Sequence, residues 1–119
     1  MPPLNIEQIR THRIRGYILN LLDQERPNPL EAEAIRIVLD GMNYCDTQQE
    51  LSAHIDYLRS EGLIYCFRPT DDELKRPDAA RLVQSYSRGH ANEMLCKLTA
   101  KGVRWIEGAD SSDVAVARV

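Results

Sequence analysis

The sequence predicts an α+β domain, mainly helical, with a three-helix core, a two-stranded β-ribbon and a C-terminal helix. Three observations carry this expectation. A capped helix over residues 47–61 stops at Gly62 and runs straight into Leu63-Ile64-Tyr65-Cys66-Phe67, which is apolar and β-prone. Two stretches with helical apolar spacing precede it, divided by Arg26-Pro27-Asn28-Pro29. After it, residues 93–98 alternate as a strand does, and Leu98-Thr99-Ala100-Lys101-Gly102 opens a further helix.

Residues 1–5, with two prolines and no period, read as a lead-in. Ile6, Ile9, Arg13, Tyr17 and Leu21, with Ile14, Ile18 and Leu22, then describe an amphipathic helix over roughly residues 5–25. Gly16 lies inside it, at a cost of up to about 1 kcal/mol relative to alanine, and suits close approach of another helix. In the second helix Asn28 is the expected N-cap, Pro29 fits the first helical position and Glu31 completes a capping box. Its apolar face is Leu30, Ala34, Ile35, Val38, Leu39 and Met42, and Gly41 and Asn43 mark its end. In the third helix Thr47 and Glu50 form a capping box, and Leu51, Ile55 and Leu58 make one stripe. His54 reads as a surface or rim residue of this helix.

The strand at 63–68 leads to Pro69 and the acidic turn Asp71-Asp72-Glu73. Arg81 to Tyr86 fits a short strand or a helical turn, and Ser87-Arg88-Gly89 a turn. The return strand at 93–98 puts Met94, Cys96 and Leu98 on one side. A connection spanning 69–92 is long for a hairpin. Thr99 caps the last helix, where Val103 and Ile106 pack back on the core and Trp105 covers the rim or faces a second subunit. Three helices closing a triangle, followed by a β-ribbon, is the arrangement of a winged helix-turn-helix domain, here over residues 1–108. The tail, 109–119, carries Val114 and Val116 alternating with alanines and is a candidate dimerisation strand.

Leu58-Arg59-Ser60-Glu61-Gly62-Leu63-Ile64 before the first wing strand, and Leu98-Thr99-Ala100-Lys101-Gly102 after the second, resemble the flanks of the wing in many bacterial winged-helix proteins. With Thr11-His12-Arg13 in the opening helix, the chain also resembles a family of small uncharacterised Mu-like phage and prophage proteins, over roughly residues 6–108. The resemblance implies the fold and implies no activity. The segment from Pro69 to Asn92 is longer than the wings of that pattern.

Composition narrows the function classes. The net charge of −3 speaks against a strongly basic nucleic-acid binder, yet the charge is uneven. From Ile64 to Arg104 eight basic residues face five acidic ones, a net of +3, whereas Asp46 to Gly62 has four acidic residues against Arg59 alone, a net of −3. No stretch reaches the roughly 18 apolar residues of a membrane span, and Met1-Pro2-Pro3-Leu4-Asn5 lacks the basic start and apolar run of a signal peptide. Three widely spaced cysteines, Cys45, Cys66 and Cys96, suit a reducing cytoplasm, where the chain is expected to reside. No Gly-rich phosphate loop, G-x-S-x-G or H-E-x-x-H is present, so no enzyme is expected, and no cofactor. The cysteines lack metal-ligand spacing and are expected as buried apolar thiols, although Cys66 and Cys96 fall on neighbouring strands where His54 or His90 could join them.

The expected partner is double-stranded DNA, bound by a homodimer. Gln48, Gln49, Ser52 and Arg59 lie on the outward side of the third helix, and glutamine and arginine side chains pair with adenine and guanine edges in the major groove. Lys75, Arg76, Arg81 and Arg88 would give the wing its phosphate contacts, and Arg10, His12, Arg13 and Arg15 a second basic patch. The plain alternative for each is a solvated helix or loop face. Asp56 and Glu61 would oppose phosphate, which favours a rival reading, an assembly adaptor that binds a phage or host protein.

Overall fold

The first helix, α1 (Ile6–Glu25), begins with a reciprocal cap that the lead-in reading missed. Asn5 Oδ1 accepts from the Gln8 N–H at 2.8 Å, and the Asn5 N–H donates to Gln8 Oε1 at 3.0 Å. The computed structural model describes residues 5–44, 47–68, 94–110 and 114–119. Within α1, Ile14, Ile18, Leu19 and Leu22 are fully enclosed. Ile6 and Ile9 are not: they are 84% and 44% exposed, because the first turns of α1 project past the core.

The chain then makes a short strand, β1 (Leu30–Glu31), where a helix start was expected. The second helix, α2 (Ala32–Gly41), starts three residues later, with Glu31 rather than Asn28 as its N-cap. The cause is tertiary. Leu30 and Glu31 pair with Cys96 and Leu95, and the Ala32 N–H donates to the Met94 carbonyl at 2.9 Å. Backbone groups that a first helical turn would leave unmatched are satisfied by the open edge of a distant strand. On α2, Ile35 and Leu39 are buried, but Val38 and Met42, assigned to the same face from the sequence, are 41% and 38% exposed. Asn43 ends this region in the left-handed conformation, φ 61°.

The third helix, α3 (Gln48–Ser60), follows the sequence closely. Thr47 Oγ1 accepts from the Glu50 N–H at 3.1 Å, and Leu51, Ile55 and Leu58 are buried. Gly62 takes φ 73°. The Leu63 N–H then reaches the Leu58 carbonyl at 3.0 Å and the Gly62 N–H the Arg59 carbonyl at 2.9 Å, the paired bonds of a Schellman motif. That turn aims the chain into β2 (Ile64–Phe67), antiparallel to β3 (Leu95–Leu98) in the register Ile64↔Leu98, Cys66↔Cys96. The ribbon expected at 63–68 and 93–98 is therefore present. The sheet has three strands rather than two, in the order β1–β3–β2.

The last helix, α4 (Ala100–Ile106), is capped by Thr99, whose Oγ1 accepts from the Gly102 N–H at 3.0 Å and donates to the Gly62 carbonyl at 2.6 Å. One hydroxyl thus ties the end of α3 to the start of α4. Trp105 is 5% exposed and belongs to the core rather than to its rim. Residues 114–119 form no strand. They run along α1, with the Ala117 N–H donating to the His12 carbonyl at 2.9 Å and Val116 buried. What Gly16 admits is consequently not a helix: a Cβ there would lie 2.1 Å from the Ala117 carbonyl oxygen.

Candidate nucleic-acid interface

The burial of Leu51, Ile55 and Leu58 decides which side of α3 meets solvent. Gln48, Gln49, Ser52, Asp56 and Arg59 all lie on the exposed side. Two of them are engaged by carboxylates. Gln48 Nε2 donates to Glu33 Oε2 of α2, and Arg59 sits 3.7 Å from Asp56 one turn earlier. The Asp56 side chain is 73% exposed, so this ion pair is loose and solvent-screened.

Beneath this face a cleft of about 250 Å³ opens between α3, the start of α2 and the sheet. Gln48, Ser52, Asp56 and Arg59 line its polar side, and Cys66, Met94 and Cys96 its floor. The Cys66 and Cys96 sulfurs are 3.4 Å apart. The hydrogen bond with Cys96 holds the Cys66 thiol below its ordinary pKa, outweighing burial, which raises it, and Arg59 adds to the lowering against Asp56. Among the described residues no three His, Cys, Asp or Glu side chains gather as a metal would require. His54 is not near these sulfurs; it belongs to another cluster.

That cluster is a correction to the sequence reading. His54 is 6% exposed. Arg15 Nε donates toward His54 Nδ1 at 3.4 Å, and the Arg15 guanidinium lies 3.8 Å above the Tyr57 ring. Arg15 also donates to the Ala115 carbonyl at 3.2 Å, while the Ala115 N–H donates to the Tyr57 hydroxyl at 2.8 Å. Burial lowers the pKa of both His54 and Arg15, and the Arg15 charge lowers His54 further. A usable signal was present in the sequence: His54 adjoins Ile55 and stands three residues after Leu51, on the edge of the apolar stripe.

The second basic patch expected on α1 does not form as a unit. Arg10 is bound to Glu50 at 2.9 Å and to the Tyr44 carbonyl, and Arg15 is turned inward. Arg13 remains exposed. Lys75, Arg76, Arg81 and Arg88 lie outside the described residues, as do Cys45, His90 and the acidic turn at 71–73. Arg68 is exposed at the end of β2. No helix among the described residues is long and apolar enough to cross a membrane. No family model matches this chain, and comparison with curated proteins and with solved structures gives no match.

Proposed function

We propose that the chain is a winged-helix protein that binds double-stranded DNA as a regulator or accessory factor, of the Mu-like phage kind whose motifs it resembles. The element order and the sheet order β1–β3–β2 support the winged-helix reading. The observation that carries the DNA reading is the outward face of α3. Gln48, Gln49, Ser52 and Arg59 are exposed there together, next to the root of the β2–β3 ribbon. Those side chains would read base edges, and Lys75, Arg76, Arg81 and Arg88 of the connection would hold phosphates. A homodimer would double the phosphate contacts.

A gel shift on double-stranded fragments at about 50 mM and about 200 mM salt tests the proposal, since phosphate contacts make affinity fall steeply over that range. Binding that weakens with salt supports it. No shift at either salt refutes it and leaves the assembly adaptor. That second reading draws on one observation, the Asp56 and Glu33 carboxylates standing beside Arg59 and Gln48 on the face that DNA would need.

A further inference from the structure

The two sulfurs on the cleft floor occupy a particular position in the ladder. The Thr99 N–H donates to the Leu63 carbonyl at 3.1 Å, which makes 63 and 99 a hydrogen-bonded pair. Alternation then makes Tyr65 and Lys97 hydrogen-bonded partners and Cys66 and Cys96 non-hydrogen-bonded ones. Partners of that second kind have Cα atoms about 4.5 Å apart, inside the span of about 4.4–6.8 Å that a disulfide bridges. Both residues are thiols, with sulfurs 3.4 Å apart. The register cannot slip easily, because Cys96 is also paired on its other side with Leu30 of β1.

Access to the two differs. Cys96 is fully enclosed, whereas Cys66 is half-buried at the cleft, beside Arg59 and Asp56. Solvent meets one residue of the pair and not the other, which suits an attacking and a resolving thiol.

We propose that Cys66 and Cys96 form a reversible dithiol–disulfide site, oxidised by hydrogen peroxide or an organic hydroperoxide that reaches Cys66 through the cleft. The Cys66 thiolate attacks a peroxide oxygen and the O–O bond breaks. Cys66 becomes a sulfenic acid, and the departing oxygen takes a proton and leaves as water or an alcohol. The Cys96 thiol then gives up its proton and its sulfur attacks that of Cys66. The S–S bond forms, the S–O bond breaks, and the oxygen leaves as water. Two electrons pass from the dithiol to the peroxide, and a thiol reductant returns them by exchange. The bridge would staple β2 to β3 at the root of the connection that carries Lys75, Arg76, Arg81 and Arg88. The site stands whether or not the domain binds DNA.

The test uses the full chain with Cys45→Ser, so that no third thiol competes. The reduced protein is treated with equimolar hydrogen peroxide, and its intact mass and unreduced peptide map are measured. The expected result is loss of two hydrogens, a Cys66–Cys96 cross-linked peptide and recovery of both thiols on reduction. Adding Cys96→Ser should stop the reaction at a Cys66 sulfenic acid that dimedone traps. Adding Cys66→Ser should slow peroxide consumption more than about tenfold, since thiolate access sets the rate. Two thiols still open to alkylation after peroxide, a bridge only between chains, or equal rates in the two serine variants would overturn the proposal. The peptide map of the Cys45→Ser chain leaves Cys66 and Cys96 in place, and it decides alone should Cys96→Ser misfold.

Discussion

Gly16→Ala separates a docked C-terminal segment from a loose one by the sign of its effect. In a helix free on that face, alanine is more stable than glycine by about 0.8–1.0 kcal/mol. Here the added Cβ would meet the Ala117 carbonyl oxygen at 2.1 Å and its carbonyl carbon at 3.2 Å. Both are backbone atoms, and the same residue's N–H is held by the His12 carbonyl at 2.9 Å, so retreat breaks that bond. Overpacking of this kind costs about 1–3 kcal/mol, which outweighs the helical gain. The expected net loss is about 1 kcal/mol and at most about 2, or roughly 4–8 °C in Tm for a domain of this size. In a chain ending at Asp113 the obstacle is gone, and the same substitution should stabilise by about 0.5–1 kcal/mol. Urea melts of the four chains, followed by far-ultraviolet circular dichroism and by the single tryptophan, Trp105, complete a double-mutant cycle. Stabilisation of the full chain by Gly16→Ala, equal to that in the shortened one, would refute the docking of 114–119 on α1.

Three further outcomes are expected. Gly62→Ala meets no atom closer than Lys101 Cδ at 3.9 Å, so its cost is the left-handed backbone alone, about 1–2 kcal/mol in urea melts; a neutral result would mean that φ 73° is not held in solution. Burial first, then Arg15 with a smaller share from Arg10 and against Glu50, holds His54 below its ordinary pKa, so the unfolded chain binds its proton more readily. Stability is then full above about pH 6.5 and falls as pH drops below it; His54→Asn, which keeps an acceptor for Arg15 without a titrating ring, should flatten that fall, and parallel Tm–pH profiles would count against the cluster. Arg59→Ala should weaken DNA binding by about 1–3 kcal/mol and relax the preference at one base position in a competition gel shift, and an unchanged affinity and preference would remove Arg59 from the proposed base contacts.

The parts of this protein that its sequence determined are those whose energy lies within a few residues. Thr47 and Thr99 cap helices by bonding an N–H three residues on, and Gly62 ends α3 because a left-handed residue costs glycine nothing. The Asn5–Gln8 box was equally local and could have been read. The apolar stripe Leu51, Ile55, Leu58 left only one side of α3 for solvent, so the outward placement of Gln48, Gln49, Ser52 and Arg59 was legible as well. Leu30 and Glu31 were not: as an isolated stretch after Pro29 they suit a helix start, and only pairing with Leu95 and Cys96 makes them a strand. The tertiary structure alone decided that Arg15 and His54 turn inward beneath 114–119, that Ile6 and Ile9 stand clear, and that Cys66 and Cys96 meet at 3.4 Å. Each of these depends on partners 30 to 100 positions away or on which surfaces remain uncovered once the helices have packed, and no local propensity encodes either.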